Sequence, residues 1–304
     1  MTLKNKIKIG FIGCVESSAV GLNSLLSNNN ADYQVVGVVT KKFSSFNSDF
    51  VDLSSICIEH SVPYLYAGEI KSNTVEDFMQ KLQPDIIFCV GWSYLLKSDL
   101  LNIPKYGVLG FHPADLPANR GRHPIIWAIA LGLKSTSSTF FKMDLGADTG
   151  PIVNQVKIKI KSHYNARNLY DEILNTVSCQ VTQIAEDMVA GKLNFVDQDH
   201  SKSNVWRKRG INDGVIDFRM TAEDIHNLVR ALSAPYPGAD VKIEPDLYKI
   251  WKSELISSRH PKNIEPGSIL EIDEDRLLVK AAGMSALYIW NKELGEKLIV
   301  GDYI

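Results

Sequence analysis

Residues 6–12 read KIKIGFI, a segment that alternates polar and apolar residues and then becomes continuously apolar. Two further segments share this character, QVVGVVT at residues 34–40 and DIIFCV at residues 85–90. Such runs are typical of parallel strands that are buried on both faces of a sheet. The stretches between them are long enough for crossover helices, at residues 19–26 and 75–82. The pattern predicts a doubly wound α/β domain with a mostly parallel sheet.

Two more strands and two more helices are predicted further along the chain. Residues 106–112 and 136–143 have strand character and flank a helix at residues 124–132. Residues 165–190 place apolar side chains at helical spacing, and a glycine follows that is suited to end the helix. We expect the α/β domain to occupy residues 1–203.

A second, smaller domain is predicted at residues 204–304, because the polar stretch at residues 202–213 has the composition of a domain boundary. A short helix is expected to begin at Thr221, which caps it together with Asp224. Short strand candidates, separated by turns, follow at residues 248–256, 268–272, 276–281 and 286–290. This spacing predicts a small β-barrel.

Composition and charge exclude several classes of protein. The 304 residues are 45% apolar and 22% charged, which is typical of a globular chain with room for two domains. The formal charge of −2 and the pI near 6.4 argue against broad affinity for nucleic acid or anionic membranes. The longest apolar run, residues 125–133, is too short to span a bilayer, and the first residues contain no apolar signal core. We therefore expect no nucleic-acid or membrane partner.

The four cysteines indicate the compartment. Cys14, Cys57, Cys89 and Cys179 lie far apart and form no CxxC motif. Such spacing suggests neither a zinc site nor a disulfide framework. The sequence therefore predicts a cytoplasmic protein without a metal.

The turn after the first predicted strand, GFIG at residues 10–13, invites a dinucleotide-binding interpretation. A GxGxxG motif is absent, however, and the second strand ends in TKK at residues 40–42 instead of an acidic residue that would bind ribose. We therefore reject NAD. Lys41 and Lys42 follow the carboxyl end of a strand, where they can meet an anionic ligand, with a solvated loop as the alternative.

The segment at residues 107–148 contains a candidate catalytic pair. His112 ends a predicted strand, and the carboxyl ends of strands are where open α/β sheets place their sites. The strand at residues 136–143 leads into the loop DLGADTG, which contains Asp148. A histidine paired with a carboxylate can move a proton from an attacking nucleophile. Spacing alone leaves structural roles for both residues open.

Further motifs begin in this region and continue into the second predicted domain. They include HPADLP at residues 112–117 and MDLGADTG at residues 143–150, followed by WRKR at 206–209, DGVIDF at 213–218 and IHNLVRALSAPYPGA at 225–239. Together they resemble the formyltransferase family that uses 10-formyltetrahydrofolate, which includes the methionyl-tRNA formyltransferases. The resemblance implies a Rossmann-like formyltransferase domain followed by an OB-like barrel.

The resemblance also implies roles for individual residues. An amine attacks the formyl carbon, His112 polarises the formyl oxygen or accepts the amine proton, and Asp148 orients His112 and helps to protonate the departing folate nitrogen. No metal is needed. The family's Asn-x-His motif reads Gly110-Phe111-His112 here, so the amide expected to hold the formyl oxygen is missing. The implied folate-binding residues are Phe88, Val90, Gly91, Trp92, Tyr94, Leu95, Ala114, Asp115, Leu116, Pro117 and Asp144.

The stretch KKFSSFNSDF at residues 41–50 helps to predict which molecule accepts the formyl group. The tRNA formyltransferases carry a basic insertion here, whereas this stretch resembles the sugar N-formyltransferases, which formylate a nucleotide-linked amino sugar during surface-polysaccharide assembly. That acceptor is our leading hypothesis, with a methionyl-tRNA formyltransferase and a non-catalytic folate or nucleotide-sugar binder as alternatives. The expected substrate-binding residues are Cys14, Glu16, Ser17, Lys41, Lys42, Asn47 and Arg120.

An aromatic side chain is expected to stack on the nucleotide base. The candidates are Phe43, Phe46 and Tyr94, and core packing is the alternative for each of them. We also expect the protein to be a homodimer.

Overall fold

The computed structural model describes residues 6–28, 32–45, 47–68 and 73–304. The chain forms two compact units. Unit 1 comprises Met1–Gly121, Thr136–Ile158 and Asp171–Trp206, and unit 2 comprises Arg122–Ser135, Lys159–Tyr170 and Arg207–Ile304. Two segments from the first part of the chain thus join the unit that contains its C-terminal end. The boundary between a catalytic domain at residues 1–203 and a second domain at residues 204–304 stays a prediction.

The elements of the described residues are numbered in chain order. The strands are β1 (Ile7–Ile12), β2 (Tyr33–Thr40), β3 (Tyr64–Tyr66), β4 (Ile86–Cys89), β5 (Val108–His112), β6 (Arg120–Gly121), β7 (Ser135–Lys142), β8 (Ile152–Lys159), β9 (Val205–Trp206), β10 (Ala239–Ile243), β11 (Asp246–Ile250), β12 (Ser253–Leu255), β13 (Ile269–Asp273), β14 (Arg276–Lys280) and β15 (Ala286–Trp290). The α-helices are α1 (Glu16–Leu26), α2 (Ser54–Glu59), α3 (Asn73–Leu82), α4 (Ser98–Leu101), α5 (Pro124–Ala130), α6 (Ala166–Val189), α7 (Ala222–Ala231) and α8 (Lys292–Lys297).

Unit 1 is built on a seven-stranded sheet with the order β3-β2-β1-β4-β5-β7-β8. The pairs among its first five strands are parallel, and β7 pairs with β5 in the antiparallel direction. The central strands β1 and β4 are largely buried, as expected for continuous apolar runs covered on both faces. The predicted doubly wound, mostly parallel α/β fold is confirmed.

Two strands of this sheet escaped prediction for different reasons. β3 has three residues, too few for a periodic pattern. β8 lies at the edge of the sheet and mixes apolar with polar residues, with Gln155, Val156 and Lys157 exposed in succession. By contrast, α6 confirms the helix predicted at residues 165–190, because its apolar spacing persists over many turns.

Two glycines bring together the loops that follow β1 and β4. A Cβ on Gly13 would overlap the carbonyl oxygen of Val90. Gly91 has a φ of +64°, and a Cβ there would overlap the side chain of Val15. The hydroxyl of Ser18 donates to the Val90 carbonyl at 2.6 Å. The carboxyl ends of the two strands are therefore tied together.

Unit 2 contains antiparallel strands. β10 and β11 form one pair, and a four-stranded sheet has the order β12-β15-β14-β13. The hydroxyl of Thr221 accepts a hydrogen bond from the N–H of Asp224 at 3.2 Å, which confirms the predicted cap of α7. The small antiparallel β domain is also confirmed, and its closure into an OB-like barrel stays a prediction.

The single strand predicted at residues 248–256 is wrong. The chain leaves β11 after Ile250 and begins β12 at Ser253. β11 pairs with β10, whereas β12 pairs with β15, so the two halves of this apolar segment belong to different sheets.

Candidate active site

The loops that carry the predicted site residues of unit 1 follow the carboxyl ends of its strands. His112 is the last residue of β5, Lys41 follows β2, and residues 90–95 follow β4. Because parallel strands present their carboxyl ends at one edge of the sheet, these residues share that edge. A cavity of about 590 Å³ opens near the amino ends of β1 and β2 instead, and it includes none of the predicted site residues.

Both ring nitrogens of His112 have defined neighbours. The side chain is largely buried, with 8% of its surface exposed. Nε2 lies 2.8 Å from the carbonyl oxygen of Asn119. Nδ1 lies 3.7 Å from Oδ2 of Asp148, which is within ion-pair range when the ring is protonated but too long for a hydrogen bond. The predicted pair is therefore brought together, and Asn119 supplies the hydrogen bond that orients the ring.

Asp148 is held in a strained conformation by its neighbours. Its φ of +57° lies in the left-handed region, which non-glycine residues seldom adopt. The N–H of Gly121 donates to Oδ2 at 2.9 Å, and the side-chain amide of Gln198 donates to the Asp148 carbonyl at 2.9 Å and to the Gly150 carbonyl at 2.7 Å. These bonds fix the carboxylate beside His112.

Arg120 points into the interior of unit 1, although the sequence-based prediction places it in contact with the substrate. Its side chain is buried, and Nη2 donates to Oε1 of Gln198 at 2.6 Å and to Nδ1 of His200 at 3.0 Å. A guanidinium in this position is not open to a phosphate of the substrate. It supports Gln198, which in turn holds the Asp148 loop.

The predicted folate wall at residues 114–117 is fixed from behind by polar side chains of β7 and β8. Ala114 and Leu116 are buried, and Pro117 is half-buried. The Ala114 carbonyl accepts a hydrogen bond from the Thr139 hydroxyl at 2.7 Å, Oδ1 of Asp115 accepts one from the Ser137 hydroxyl at 2.6 Å, and the Leu116 carbonyl accepts one from the Gln155 amide at 3.0 Å. The wall is thus pre-organised for a ligand.

Asp144 shapes the loop that follows β7. Its Oδ1 accepts hydrogen bonds from the N–H of Gly146 at 2.9 Å and from the hydroxyl of Thr149 at 2.5 Å. The residue is exposed, so its carboxylate is open to a ligand as well as closing its own turn.

The predicted folate-binding residues in β4 and in the loop after it divide into core and surface. Phe88 and Val90 are fully buried, and the Phe88 ring packs on Phe140 with 6.1 Å between centroids. These two predicted folate-binding side chains therefore belong to the core, because β4 is covered on both faces. Trp92 is half-buried, Tyr94 is 42% exposed and Leu95 is 79% exposed.

Gly110 has no room for the amide that the resemblance led us to expect. It pairs with Phe141 across β5 and β7. A Cβ at position 110 would lie 2.9 Å from Cζ of Phe141 and 2.8 Å from Cγ of Met143. The Phe141 ring and the Met143 side chain crowd the space above Gly110.

Lys41 forms a cluster with two aromatic residues, which we call the Lys41 cluster: Lys41, Trp92 and Tyr94. Nζ donates to the Tyr94 hydroxyl at 2.8 Å and lies 4.0 Å from the centre of that ring and 5.5 Å from the Trp92 ring. The two rings are 5.8 Å apart. The cluster thus places a positive charge beside an exposed aromatic surface.

The other predicted substrate-binding residues vary in exposure. Cys14 and Ser17 are buried, Glu16 is half-buried and Lys42 is exposed. Asn47 donates to the Ser93 hydroxyl at 3.3 Å, which ties the loop after β2 to the loop after β4.

The structure describes one of the two phenylalanines that are predicted to stack on a base. Phe43 is 73% exposed, and Phe46 lies outside the described residues.

The Cys14 thiol is unsuited to contact with substrate. Burial raises its pKa to about 11, although the positive charge of Lys41 opposes this effect. Its Sγ points to the Gly91 carbonyl, 3.7 Å away. The side chain therefore fills space between two loops, and only the backbone of this residue is left to face a ligand.

We expect a chromogenic thiol reagent at neutral pH to modify one cysteine of the native chain and all four after denaturation. Cys179 is exposed, whereas burial raises the pKa of Cys57 to about 11 and that of Cys89 to about 12. The thiolate is the reactive form, and a raised pKa leaves these thiols protonated. Cys179→Ser is the control and should leave no fast-reacting thiol. A second fast-reacting thiol in the native chain would contradict the burial of Cys14, Cys57 or Cys89.

Two further properties hold for the part of the chain that the structure describes. It contains no group of three or more His, Cys, Asp or Glu side chains arranged to bind a metal ion. Its helices are all too short or too polar to cross a membrane.

A histidine beside a carboxylate at this edge of the sheet is an arrangement suited to proton transfer during nucleophilic attack. A model of the formyl transferase domain matches residues 11–181, and a model of the formyl transferase C-terminal domain matches residues 211–300. The chain therefore belongs to the formyl transferase family and is a formyltransferase.

Two curated relatives illustrate the range of the family. The chain is 30% identical over 261 residues to the bifunctional polymyxin resistance protein ArnA of Wigglesworthia glossinidia brevipalpis, a match that covers 85% of this chain but only 39% of that protein. It is 27% identical over 304 residues to the methionyl-tRNA formyltransferase of Clostridioides difficile, which covers 98% of this chain and 96% of that protein.

Solved structures share the fold at low sequence identity. WlaRD, a sugar 3N-formyl transferase crystallised with dTDP and 5-N-formyl-THF, has a TM-score of 0.71 at 20% identity, over 95% of this chain and 98% of that chain. An N-formyltransferase from Helicobacter canadensis, in complex with folinic acid and dTDP-3-aminofucose, has a TM-score of 0.72 at 20% identity, over 94% and 99%. Methionyl-tRNA formyltransferase from Clostridium thermocellum has a TM-score of 0.59 at 15% identity, over 94% and 99%.

Proposed function

We propose that the chain transfers a formyl group from 10-formyltetrahydrofolate to the amino group of a nucleotide-linked amino sugar. The observation that carries this proposal is the Lys41 cluster, which lies on the same edge of the sheet as His112. Two of the structures with the same fold are sugar N-formyltransferases, one with dTDP and one with dTDP-3-aminofucose.

The Lys41 cluster suits the nucleotide part of such an acceptor. A lysine ammonium forms strong, charge-assisted hydrogen bonds with a diphosphate. An exposed tyrosine ring offers a surface on which a nucleotide base can stack, and Tyr94 is 42% exposed. We assign the diphosphate to Lys41, with Lys42 as a second cation, and the base to Tyr94 or Phe43.

The residues around His112 fit a folate. A pterin ring needs an apolar surface and a few hydrogen-bonding groups. Leu95 exposes an apolar side chain, and Asp144 exposes a carboxylate. We assign the folate to these residues, to the wall at residues 114–117, and to the backbone of Val90 and Gly91. When bound, it supplies the formyl group.

His112 and Asp148 perform the proton transfers in this proposal. The ring accepts a proton from the attacking amine and returns it to the departing folate nitrogen. The Asp148 carboxylate lies 3.7 Å from the ring and stabilises the positive charge that the ring carries in between. The pair therefore needs no metal for this step.

A different observation favours a tRNA acceptor as the second candidate. In unit 2, the guanidinium groups of Arg207 and Arg209 lie 5.5 and 4.6 Å from the Trp127 ring, and Lys208 stands between them in the sequence. Such a basic cluster can contact phosphates of RNA. We rank it second because Asp213 forms an ion pair with Arg207 at 2.5 Å, which offsets part of the charge.

The proposed function is tested by incubating the chain and 10-formyltetrahydrofolate with a panel of nucleotide-linked amino sugars. The panel varies the nucleotide and the position of the amine. We expect a mass gain of one formyl group on at least one sugar, and none when the amine is already acetylated. No gain on any sugar, with tRNA formylated under the same conditions, would contradict the proposal.

We expect Lys41→Glu to weaken binding of the nucleotide sugar by about 1–3 kcal/mol, because a charge-assisted hydrogen bond to the diphosphate is lost and a negative charge replaces it. Folate affinity should change little. Calorimetric titration of each ligand measures both affinities.

The matched control for this variant is Lys105→Glu. Like Lys41, Lys105 lies near a tyrosine ring, 5.0 Å from that of Tyr106, but it precedes β5 and so lies towards the opposite edge of the sheet. Its replacement should leave both affinities unchanged. Equal losses from the two variants would show that general charge, and not the Lys41 cluster, governs binding.

A further inference from the structure

The hydrogen bond on His112 identifies the ring nitrogen that is available for proton transfer. A carbonyl oxygen only accepts hydrogen bonds, so Nε2, which lies 2.8 Å from the Asn119 carbonyl, carries a hydrogen. In the neutral ring, Nδ1 then has the lone pair. Nδ1 and Oδ2 of Asp148 are two acceptors 3.7 Å apart. One amine nitrogen placed about 3 Å from each can donate a hydrogen bond to both.

Asn204 holds the Asn119 carbonyl in position. Asn119 has a φ of +66°, in the left-handed region. Its N–H donates to Oδ1 of Asn204 at 2.8 Å, and the next N–H, that of Arg120, donates to the backbone carbonyl of Asn204 at 3.1 Å. The pairing of β6 with β9 continues this arrangement over the following residues. The side chain of Asn204 therefore holds the peptide that precedes Asn119, and its backbone carbonyl holds the peptide whose carbonyl binds His112.

The segment at residues 119–121 contacts both members of the catalytic pair. The Asn119 carbonyl binds the ring of His112, and the N–H of Gly121 binds the carboxylate of Asp148. A displacement of this segment would move both groups at once. Because Asn204 itself is exposed, its replacement removes little buried surface. An effect of that replacement on catalysis would therefore report on the position of the pair.

We propose that Asn204 is a positioning residue for formyl transfer: through Asn119 it holds His112 as the Nε2–H tautomer, so that Nδ1 accepts the amine proton. The proposal rests on His112 and Asp148 being the catalytic pair of the proposed function. As the amine nitrogen bonds to the formyl carbon, one of its protons passes to Nδ1. As the bond from that carbon to the folate nitrogen breaks, the proton passes from Nδ1 to the folate nitrogen, and the ring is neutral again.

Three variants test the kinetic part of the proposal. Asn204→Ala removes the acceptor, and Asn204→Asp keeps a side-chain oxygen in its place. Ser203→Ala is the matched control, because it removes a hydrogen bond to the His200 carbonyl in the same loop without touching residues 119–121. We expect Asn204→Ala to lower kcat by about tenfold to a hundredfold, to leave KM for both substrates within about threefold, and to change the pH–rate profile.

In the same assay, Asn204→Asp and Ser203→Ala should stay within about threefold of the parent in kcat. A kcat within about twofold of the parent for Asn204→Ala would overturn the proposal. So would an equal loss in Asn204→Ala and Asn204→Asp, because the side-chain oxygen would then not matter.

The tautomer is measured directly by ¹⁵N NMR of the parent chain without substrate, with the His112 signals assigned by their loss in His112→Ala. We expect hydrogen on Nε2 in the parent and in Asn204→Asp, and a mixture of tautomers in Asn204→Ala. Hydrogen on Nδ1 of the neutral ring in the parent would overturn the proposal. Because this measurement needs no acceptor, it is independent of whether the chain formylates a nucleotide sugar.

Discussion

His112→Ala is expected to lower kcat for formyl transfer by at least about a hundredfold while the chain stays folded. The imidazole is the group that lies beside the Asp148 carboxylate at the carboxyl edge of the sheet, with Nδ1 3.7 Å from Oδ2. Without it, the group that takes the proton of the attacking amine and returns it to the departing folate nitrogen is lost. Steady-state kinetics measure the loss, and circular dichroism with thermal unfolding establishes that the fold persists.

His60→Ala is the matched control for this variant. His60 is exposed and follows α2, away from the carboxyl ends of the strands. Its replacement should leave kcat within about twofold of the parent, as expected for a surface substitution. If folded His112→Ala retained kcat within about tenfold of the parent, the imidazole would not be the general base.

Gly110→Asn is expected to lower the free energy of unfolding by about 2–4 kcal/mol and to bring no gain in turnover. A Cβ at this position would lie within 3 Å of both the Phe141 ring and the Met143 side chain, so the larger residue overpacks the core. The asparagine amide would also be buried without an established partner, which adds a further cost. Denaturant unfolding measures the change.

Two controls accompany this prediction. Gly68→Asn places the same side chain in open space and should change stability by less than about 0.5 kcal/mol. In a double-mutant cycle, Phe141→Val makes room for the new side chain, so the cost of Gly110→Asn should fall by at least about 1 kcal/mol in its presence. A stable and faster Gly110→Asn variant would show instead that the site lacks only the amide.

Local patterns explain which parts of the fold could be predicted. Continuous apolar runs predict β1, β2 and β4, and apolar residues at helical spacing predict α6. Each of these patterns lies entirely within one element. The Thr221 cap was readable for the same reason. β8 could not be predicted in this way, because an edge strand does not require a continuous apolar run.

The hydrogen bonds that hold His112 and Asp148, the proposed catalytic pair, could not be predicted from the sequence. Asn119 and Asn204 are 85 residues apart in the chain, and Asp148 and Gln198 are 50 apart. Each interaction depends on a backbone group whose position only the folded chain defines. The burial of Arg120 could not be predicted for a related reason, since charge alone does not reveal that a guanidinium is buried beneath a loop.

A comparison of two acceptors for the same formyl donor distinguishes the proposed function from the second candidate. The chain is supplied with 10-formyltetrahydrofolate and either the best nucleotide-linked amino sugar of the panel or methionyl-charged initiator tRNA, and kcat/KM is determined for each. We expect kcat/KM for the sugar to exceed that for the tRNA by at least about a hundredfold, which corresponds to roughly 2.7 kcal/mol of transition-state stabilisation. Efficient formylation of the tRNA, with no formylated product from any nucleotide sugar, would contradict it.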